Sequence, residues 1–346
     1  MNIPEITGTM EFKGYNHIVN RIKKFEDYEI IGQDASEEYD LYAIHLGDVE
    51  KPTIFIIASI HGSEWKSTHY SLDFFEKIRD NSYPDKEFRD YFLNNYHILY
   101  VPVVNPYGFD LPYEIPPNTP GSSPMKDGRN NFNDVNLNRD FKDISQPETQ
   151  AIVDLGNEYK PFSFLSCHLT PKKPPSLEIH SADDRLNGIK RMFMDEWSSF
   201  TGESVLDHKH PGFDNPTIDY PYFSSLSNDY TPYNLSFLTE IGQWEITNQG
   251  NSLEDVYYYG MSSLFIFFNI TNVFFKQHNG NGETSNGEYV TKIEQEHKTI
   301  YFNRNTNNFV NKVTEEFKNG NVITTTIERD GRNRVTSFER VLTKND

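Results

Sequence analysis

Apolar residues recur along this chain with two alternating periods. Residues 15–25 (YNHIVNRIKKF) have the spacing of a polar helix, and the runs DYEIIGQ and YDLYAIHLG then alternate as a hairpin laid on a larger sheet would. TIFIIAS, 53–59, is almost continuously apolar, the pattern of a central strand covered on both faces. The period then changes, because Leu72, Phe75 and Ile78 recur at helical spacing and predict a helix over about 63–79. YHILYVPVV (96–104) reads as a second strand, followed by a Pro/Gly/Asn-rich loop over 105–143. Ser145-Gln-Pro-Glu148 has the form of a capping box that starts a helix through about 159. FSFLSCH and LSFLTEIG are further buried strands, with a helix near 188–200 and a Tyr/Pro/Ser-rich loop over 211–234 between them. The most apolar stretch, 256–270, reads as a buried helix, shorter than the ~18 to 20 residues of a membrane span. Strands alternating with helices predict an α/β domain.

At 278–288 (HNGNGETSNGE) Gly, Asn and Ser displace everything apolar, which predicts a linker between a domain over 1–277 and a tail over 289–346. The tail holds short alternating runs, NVITTTIER and RVTSFERVL, with Asn319-Gly320 and Asp330-Gly331 as hairpin dipeptides. It should be a small antiparallel β unit whose half-exposed strands lean on the main domain or on a partner.

Composition narrows the function classes. The chain has 346 residues and a formal charge of −19, so it lacks the clustered cations that phosphate contacts need, and a nucleic-acid binder is excluded. Hydrophobic residues are few at 36%, but aromatics at 14% supply large buried rings for a core. Cys167 is the only cysteine, which rules out an intrachain disulfide. MNIPEITGTMEF carries neither a basic nor an apolar signal region, so the expected location is cytoplasmic, with no membrane partner.

His61 and Glu64, in SIHGSEW, directly follow the strand TIFIIAS, at the carboxyl end where α/β folds place their ligand sites. Their spacing alone reads first as that of a surface pair. His168 ends FSFLSCH in the same way, and taken alone it reads first as a core histidine bonded to backbone. If the two strands are neighbours, the three residues converge, and two imidazoles with one carboxylate leave a tetrahedral zinc one open position, the pattern of a catalytic site. Glu240 lies near the end of an apolar strand, where a carboxylate needs either a task or a salt bridge to offset its desolvation. His208 and His210, in DHKHPG, suit a solvated loop better than a metal, and Cys167 reads as a small buried strand thiol.

HGSEW, NPYG (105–108), NLNRDF (136–141), SQPET, SCH and SFLTEIG stand in the order and rough spacing of the zinc carboxypeptidases, the carboxypeptidase A-like metallopeptidases. The chain resembles that family from about Tyr28 to Phe275. The resemblance implies a mixed, mainly parallel eight-stranded sheet with helices on both faces and one Zn2+ ion held by His61, Glu64 and His168. It further implies that Glu240 is the general base, that Arg129 polarises the scissile carbonyl, and that Asn138 and Arg139 grip the substrate's terminal carboxylate. A family tyrosine closes over the substrate; of Tyr220, Tyr222 and Tyr230, counting back from Asp229 selects Tyr222, and the same count puts Asn228 where side-chain preference is set. The implied activity is hydrolysis of an amide bond beside a free carboxylate, in a peptide or a small peptide such as a cell-wall fragment. Two alternatives stay open: an N-acyl amino acid deacylase resembling aspartoacylase and succinylglutamate desuccinylase, and a non-catalytic, metal-stabilised peptide-binding module.

Overall fold

The structure, a computed structural model, describes residues 8, 10–82, 86–114, 128–170, 176–207, 217–242 and 252–279; towards the C-terminus it describes 284–285, 289–290, 292–294, 298–304, 310–329 and 335–344. It divides into two compact units, Met1–Phe268 and Asn269–Asp346. The division falls inside the helix Leu253–Asn279. Most of the Gly/Asn-rich segment 278–288 lies outside the described residues, as do Asp330-Gly331, His208 and His210.

The first unit is built on one eight-stranded sheet. Its strands are β1 (Tyr28–Gln33), β2 (Asp40–Gly47), β3 (Thr53–Ala58), β4 (His97–Val101), β5 (Ser163–Thr170), β6 (Leu177–His180), β7 (Val205–Asp207) and β8 (Leu235–Gly242), in the spatial order β1-β2-β4-β3-β5-β8-β6-β7. The four central strands β4, β3, β5 and β8 run parallel, β1, β2 and β6 join antiparallel, and β7 is parallel to β6, so the sheet is mixed and mainly parallel. From β3 the chain passes to β4 on one side and later to β5 on the other, which opens a crevice at the carboxyl ends of β3 and β5.

Helices cover both faces: α1 (Tyr15–Ile22), α2 (Trp65–Arg79), α3 (Lys86–Asn95), α4 (Pro106–Glu114), α5 (Pro147–Tyr159), α6 (Asn187–Thr201), α7 (Asp219–Ser225) and the part of α8 (Leu253–Asn279) up to Phe268. Because side chains alternate along a strand, Phe55 and Ile57 of β3 pack with Ile152, Val153 and Leu155 of α5. Tyr100, the register partner of Ile56, meets Phe75 of α2 on the opposite face with ring centroids 4.4 Å apart. Each fully buried ring of this kind contributes about 2 to 3 kcal/mol.

Three expectations are corrected. The stretch 105–143 is not all loop. Asn105 Oδ1 accepts the Gly108 N–H at 2.9 Å with Pro106 in the first helical position, so α4 starts there as a capped helix. α5 begins at the expected place, but its capping box does not form, since buried Glu148 instead accepts from the Ala35 N–H at 3.1 Å and from Asn131. The apolar helix reaches from Leu253 to Asn279, well past 256–270, and among the described residues no helix is long and apolar enough to cross a membrane.

The second unit contains a five-stranded antiparallel sheet of Lys292–Glu294, Lys298–Arg304, Val310–Phe317, Val322–Arg329 and Val335–Thr343. Asn319-Gly320 makes the expected turn, with Gly320 at φ +85° and its N–H donating to Phe317 O at 2.9 Å. No side chain over 312–326 is buried, in keeping with half-exposed strands.

At the amino ends of the central strands, far along β4 from the metal candidates, His97 is fully buried. Its Nε2 meets His45 Nδ1 at 3.0 Å, its Nδ1 meets Thr53 Oγ1 at 3.1 Å, and the two imidazoles stack. Burial, with His45 adding to it, pushes His97 down to about 4. The unfolded chain therefore takes up a proton near pH 6.5 that the fold refuses. Stability from this group is complete above that pH and falls between pH 6.5 and 4, by about 3 kcal/mol in all. Urea unfolding at pH 7.5 and 4.5 should show a smaller acid loss in His97→Asn than in wild type; equal losses would rule the His97 contribution out.

Candidate metal centre

β3 ends at Ala58, and Ser59 turns the chain in the left-handed region at φ +46°, with its Oγ 2.7 Å from Thr68 Oγ1. One 3-10 turn, Gly62–Glu64, follows and returns Glu64 to His61, whose Nδ1 lies 2.8 Å from Glu64 Oε1. The turn is clamped from outside. Ser63 N–H donates to Gly128 O at 2.8 Å, and a Cβ on Gly62 would stand 2.1 Å from the Gly108 carbonyl carbon, a backbone atom that cannot move aside. Glycine at 62 is what lets the loop bearing Glu64 lie directly on α4.

β5 is the neighbour of β3, so His168 arrives beside the same turn. His168 Nδ1 is 3.0 Å from Glu64 Oε2, and the two imidazoles are 4.9 Å apart between centroids. The candidate ligand atoms of His61, Glu64 and His168 all lie within 4.8 Å of one another, with the three residues buried. Glu64 Oε2 also accepts the Leu169 N–H at 3.1 Å. Burial alone would raise the Glu64 pKa, but the two imidazoles outweigh it and hold the carboxyl well below its usual range. His168 is the other half of that balance. Burial pulls it down, yet Glu64 and then Asp219 push it up to about 10, while burial lowers His61.

These side chains fit a divalent cation. A carboxylate 2% exposed needs positive charge against it, and the two imidazoles each turn Nδ1 towards it. Without a cation His168 supplies that charge as a proton, which a metal ion would displace. Two nitrogens and one carboxylate oxygen are a donor set of the open zinc type.

Glu240 of β8 is the register partner of His168 on one side and of Glu178 of β6 on the other. Burial is the main cause that raises it to about 7; His168 opposes the rise, and Glu64 and Glu178 add to it. Glu178, His180 and Glu240 also place ligand-type atoms within 4.8 Å of one another. Arg129 reaches the centre, with Nη1 3.5 Å from Glu64 Oε1. Asn138 is buried in the 3-10 turn Leu137–Arg139, and exposed Arg139 donates from Nη1 to the Asn138 carbonyl at 2.6 Å.

Two expected residues are not brought here. Tyr222 lies in α7 with its ring centroid 5.6 Å from that of Phe141 and packed beside Phe223. Asn228 organises its own turn, accepting from the N–H groups of Tyr230 and Thr231 at 2.8 Å each. Three residues at the centre are not expected from sequence. Asn136 Oδ1 lies 3.1 Å from His61 Nε2, and Ser166 Oγ lies 2.9 Å from His168 Nε2 with Asp219 behind it. Ser166 carries a signal, since it stands two residues before His168 on the same strand face. Cys167, on the opposite face, is pushed up to about 12 by burial, as an inert core thiol should be.

Residues 16–171 match the family model described as zinc carboxypeptidase. Human carboxypeptidase D is 31% identical over 146 residues, which cover 38% of this chain and only 10% of that protein, so the chain spans a small part of its curated relative. Among solved structures, a metallo-carboxypeptidase from Burkholderia cenocepacia superposes with a TM-score of 0.59 at 14% identity, covering 75% of this chain and 69% of that one. Carboxypeptidase A from Helicoverpa armigera gives 0.59 at 14% identity, with coverage of 76% and 74%. A Pseudomonas aeruginosa metallo-carboxypeptidase, solved in complex with (2-guanidinoethylmercapto)succinic acid, gives 0.57 at 17%, with coverage of 75% and 68%.

Proposed function

We propose, from the premise that residues 16–171 are of the zinc carboxypeptidase family, that this protein is a zinc-dependent hydrolase of the amide bond next to a free carboxylate in a peptide. The observation that carries the reading is the meeting of His61, Glu64 and His168 at the carboxyl ends of adjacent parallel strands, with Glu240 beside His168 on the next strand.

His61, Glu64 and His168 would hold the ion. When bound, zinc supplies a Lewis acid that acidifies water and polarises a carbonyl. Glu240, with a carboxyl near neutrality, takes a proton from the attacking water as the new carbon–oxygen bond forms, and returns it to the amine nitrogen as the carbon–nitrogen bond breaks. Arg129, whose Nη1 is 3.5 Å from Glu64 Oε1, would meet the oxyanion. Arg139, exposed and cationic, and Asn138 receive the substrate carboxylate, a charge-assisted pairing that a chain of net charge −19 must provide locally.

The test compares peptides with free and amidated C-termini, and N-acetyl and N-succinyl amino acids, before and after chelation. Activity confined to free C-termini, lost on chelation and restored by zinc, is the expected result. Arg139→Met should then lower kcat/KM by about 10- to 100-fold, mostly through KM, the size of one lost charged hydrogen bond. Preference for the N-acyl amino acids would replace peptide hydrolysis by deacylation. Peptide binding without turnover in either state would leave a binding module.

A further inference from the structure

We infer that Asp219 is a positioning residue that serves the metal centre and the substrate anchor together. Its carboxylate acts through Ser166 to set the ring of His168, and its backbone N–H sets the carboxamide of Asn138. The inference rests on the zinc-hydrolase reading above and assigns a task to a residue that reading leaves without one.

Asp219 is fully buried as the first residue of α7. Ser166 Oγ donates to Asp219 Oδ2, a bond that uses the hydroxyl's single hydrogen. The lone pairs of the same oxygen remain to accept, and His168 Nε2 stands 2.9 Å away, with Asp219 Oδ2 itself 3.6 Å from that nitrogen. Nε2 therefore keeps its hydrogen, and Nδ1, which faces Glu64 and the cation position, is the nitrogen whose proton a cation would displace. A neutral partner would hold the ring too, but a carboxylate behind the hydroxyl makes the imidazole the stronger donor.

The other imidazole shows the contrast. His61 Nε2 faces Asn136 Oδ1, a neutral amide oxygen that also accepts the Asn138 N–H at 3.0 Å. Of the two nitrogen ligand candidates, only His168 is backed by a carboxylate among the described residues.

The second arm runs through the main chain. Asp219 N–H donates to Asn138 Oδ1 at 3.0 Å. A backbone N–H can only donate, so the carboxamide must turn its oxygen to it, and Nδ2–H2 points the other way as the donor a carboxylate requires. One residue thus fixes a metal ligand and a substrate donor that lie 30 positions apart in sequence, at 168 and 138.

Asp219→Asn separates the arms, because it keeps size and the main-chain bond and removes the charge together with the acceptor oxygen that faces Ser166. Zinc affinity, measured by competition with a chromogenic chelator, should weaken by about 10- to 100-fold in Asp219→Asn, and in the same direction in Ser166→Ala. KM for a free-carboxylate peptide at saturating zinc should stay within about twofold of wild type, since the Asn138 arm is intact. A merely structural role would lower the melting temperature and leave the zinc constant of the folded protein where it was. If folded Asp219→Asn holds zinc within twofold of wild type while wild type binds it tightly, the inference fails and the hydrolase reading stands. If wild type itself binds no zinc, both fail. Should Asp219→Asn not fold, Ser166→Ala decides in its place: weakened zinc affinity supports the carboxylate arm, and affinity within twofold of wild type overturns it.

Discussion

Glu240→Gln should keep the metal and lose the chemistry. Zinc content by elemental analysis is expected at the wild-type level, because the candidate ligands are His61, Glu64 and His168 and the substitution barely changes shape. Turnover of a good peptide should fall by about 10²- to 10⁴-fold, the usual contribution of a positioned general base. The position of the carboxyl explains why one atom matters so much. Burial raises Glu240 to about 7, so it changes protonation near neutral pH. Only the carboxylate form can take a proton from water. In wild type kcat/KM must therefore rise with pH through an acidic limb at or below about 7, since a bound cation would draw the limb lower. That limb should vanish in Glu240→Gln. Residual activity above a tenth of wild type would remove Glu240 from the mechanism.

Losing His168 should be costlier still, because it undoes two balances at once. His168→Ala leaves a buried Glu64 carboxylate with one imidazole and strips Ser166 and Asp219 of the ring they hold. Breaking a buried charged pair from one side costs about 3 to 5 kcal/mol, so the melting temperature should drop along with zinc binding and all turnover. A companion measurement tests the charge argument without any substitution. With His168 pushed up to about 10, the metal-free protein holds a proton there at pH 7.5, and zinc loading should release about one proton per ion. Calorimetry in buffers of different ionisation enthalpy reads that number directly. Zinc binding by His168→Ala within tenfold of wild type, or loading with no proton released, would overturn this account of the centre.

The contrast between Tyr222 and His168 shows where reading along the chain succeeds. His168 is legible because it ends a continuous apolar run, a property of a few neighbouring residues. Tyr222 rests on a count through a loop. Loop length is nearly free to change, since doubling it costs only about 0.6 kcal/mol, so a count through one carries little positional information. Asn228, reached by the same count, instead ties a turn with Thr231 and Asn234. The capping box at Ser145 fails for a related reason. The motif is local, but buried Glu148 bonds to Ala35 and Asn131, partners it meets only after folding.

Apolar periodicity was enough to establish the α/β class and the central strands, because each of these depends on short stretches meeting water or avoiding it, while strand ends offered His61, Glu64 and His168 only as candidates that the order of several short motifs then joined. What stands behind those residues came from packing. Strand order puts His168 between β3 and β8, and the covering helix brings Asp219 to Ser166 across 53 positions and to Asn138 across 81. Such neighbours are chosen by burying both faces of a sheet at once, a condition on the whole domain that no single segment of the chain contains.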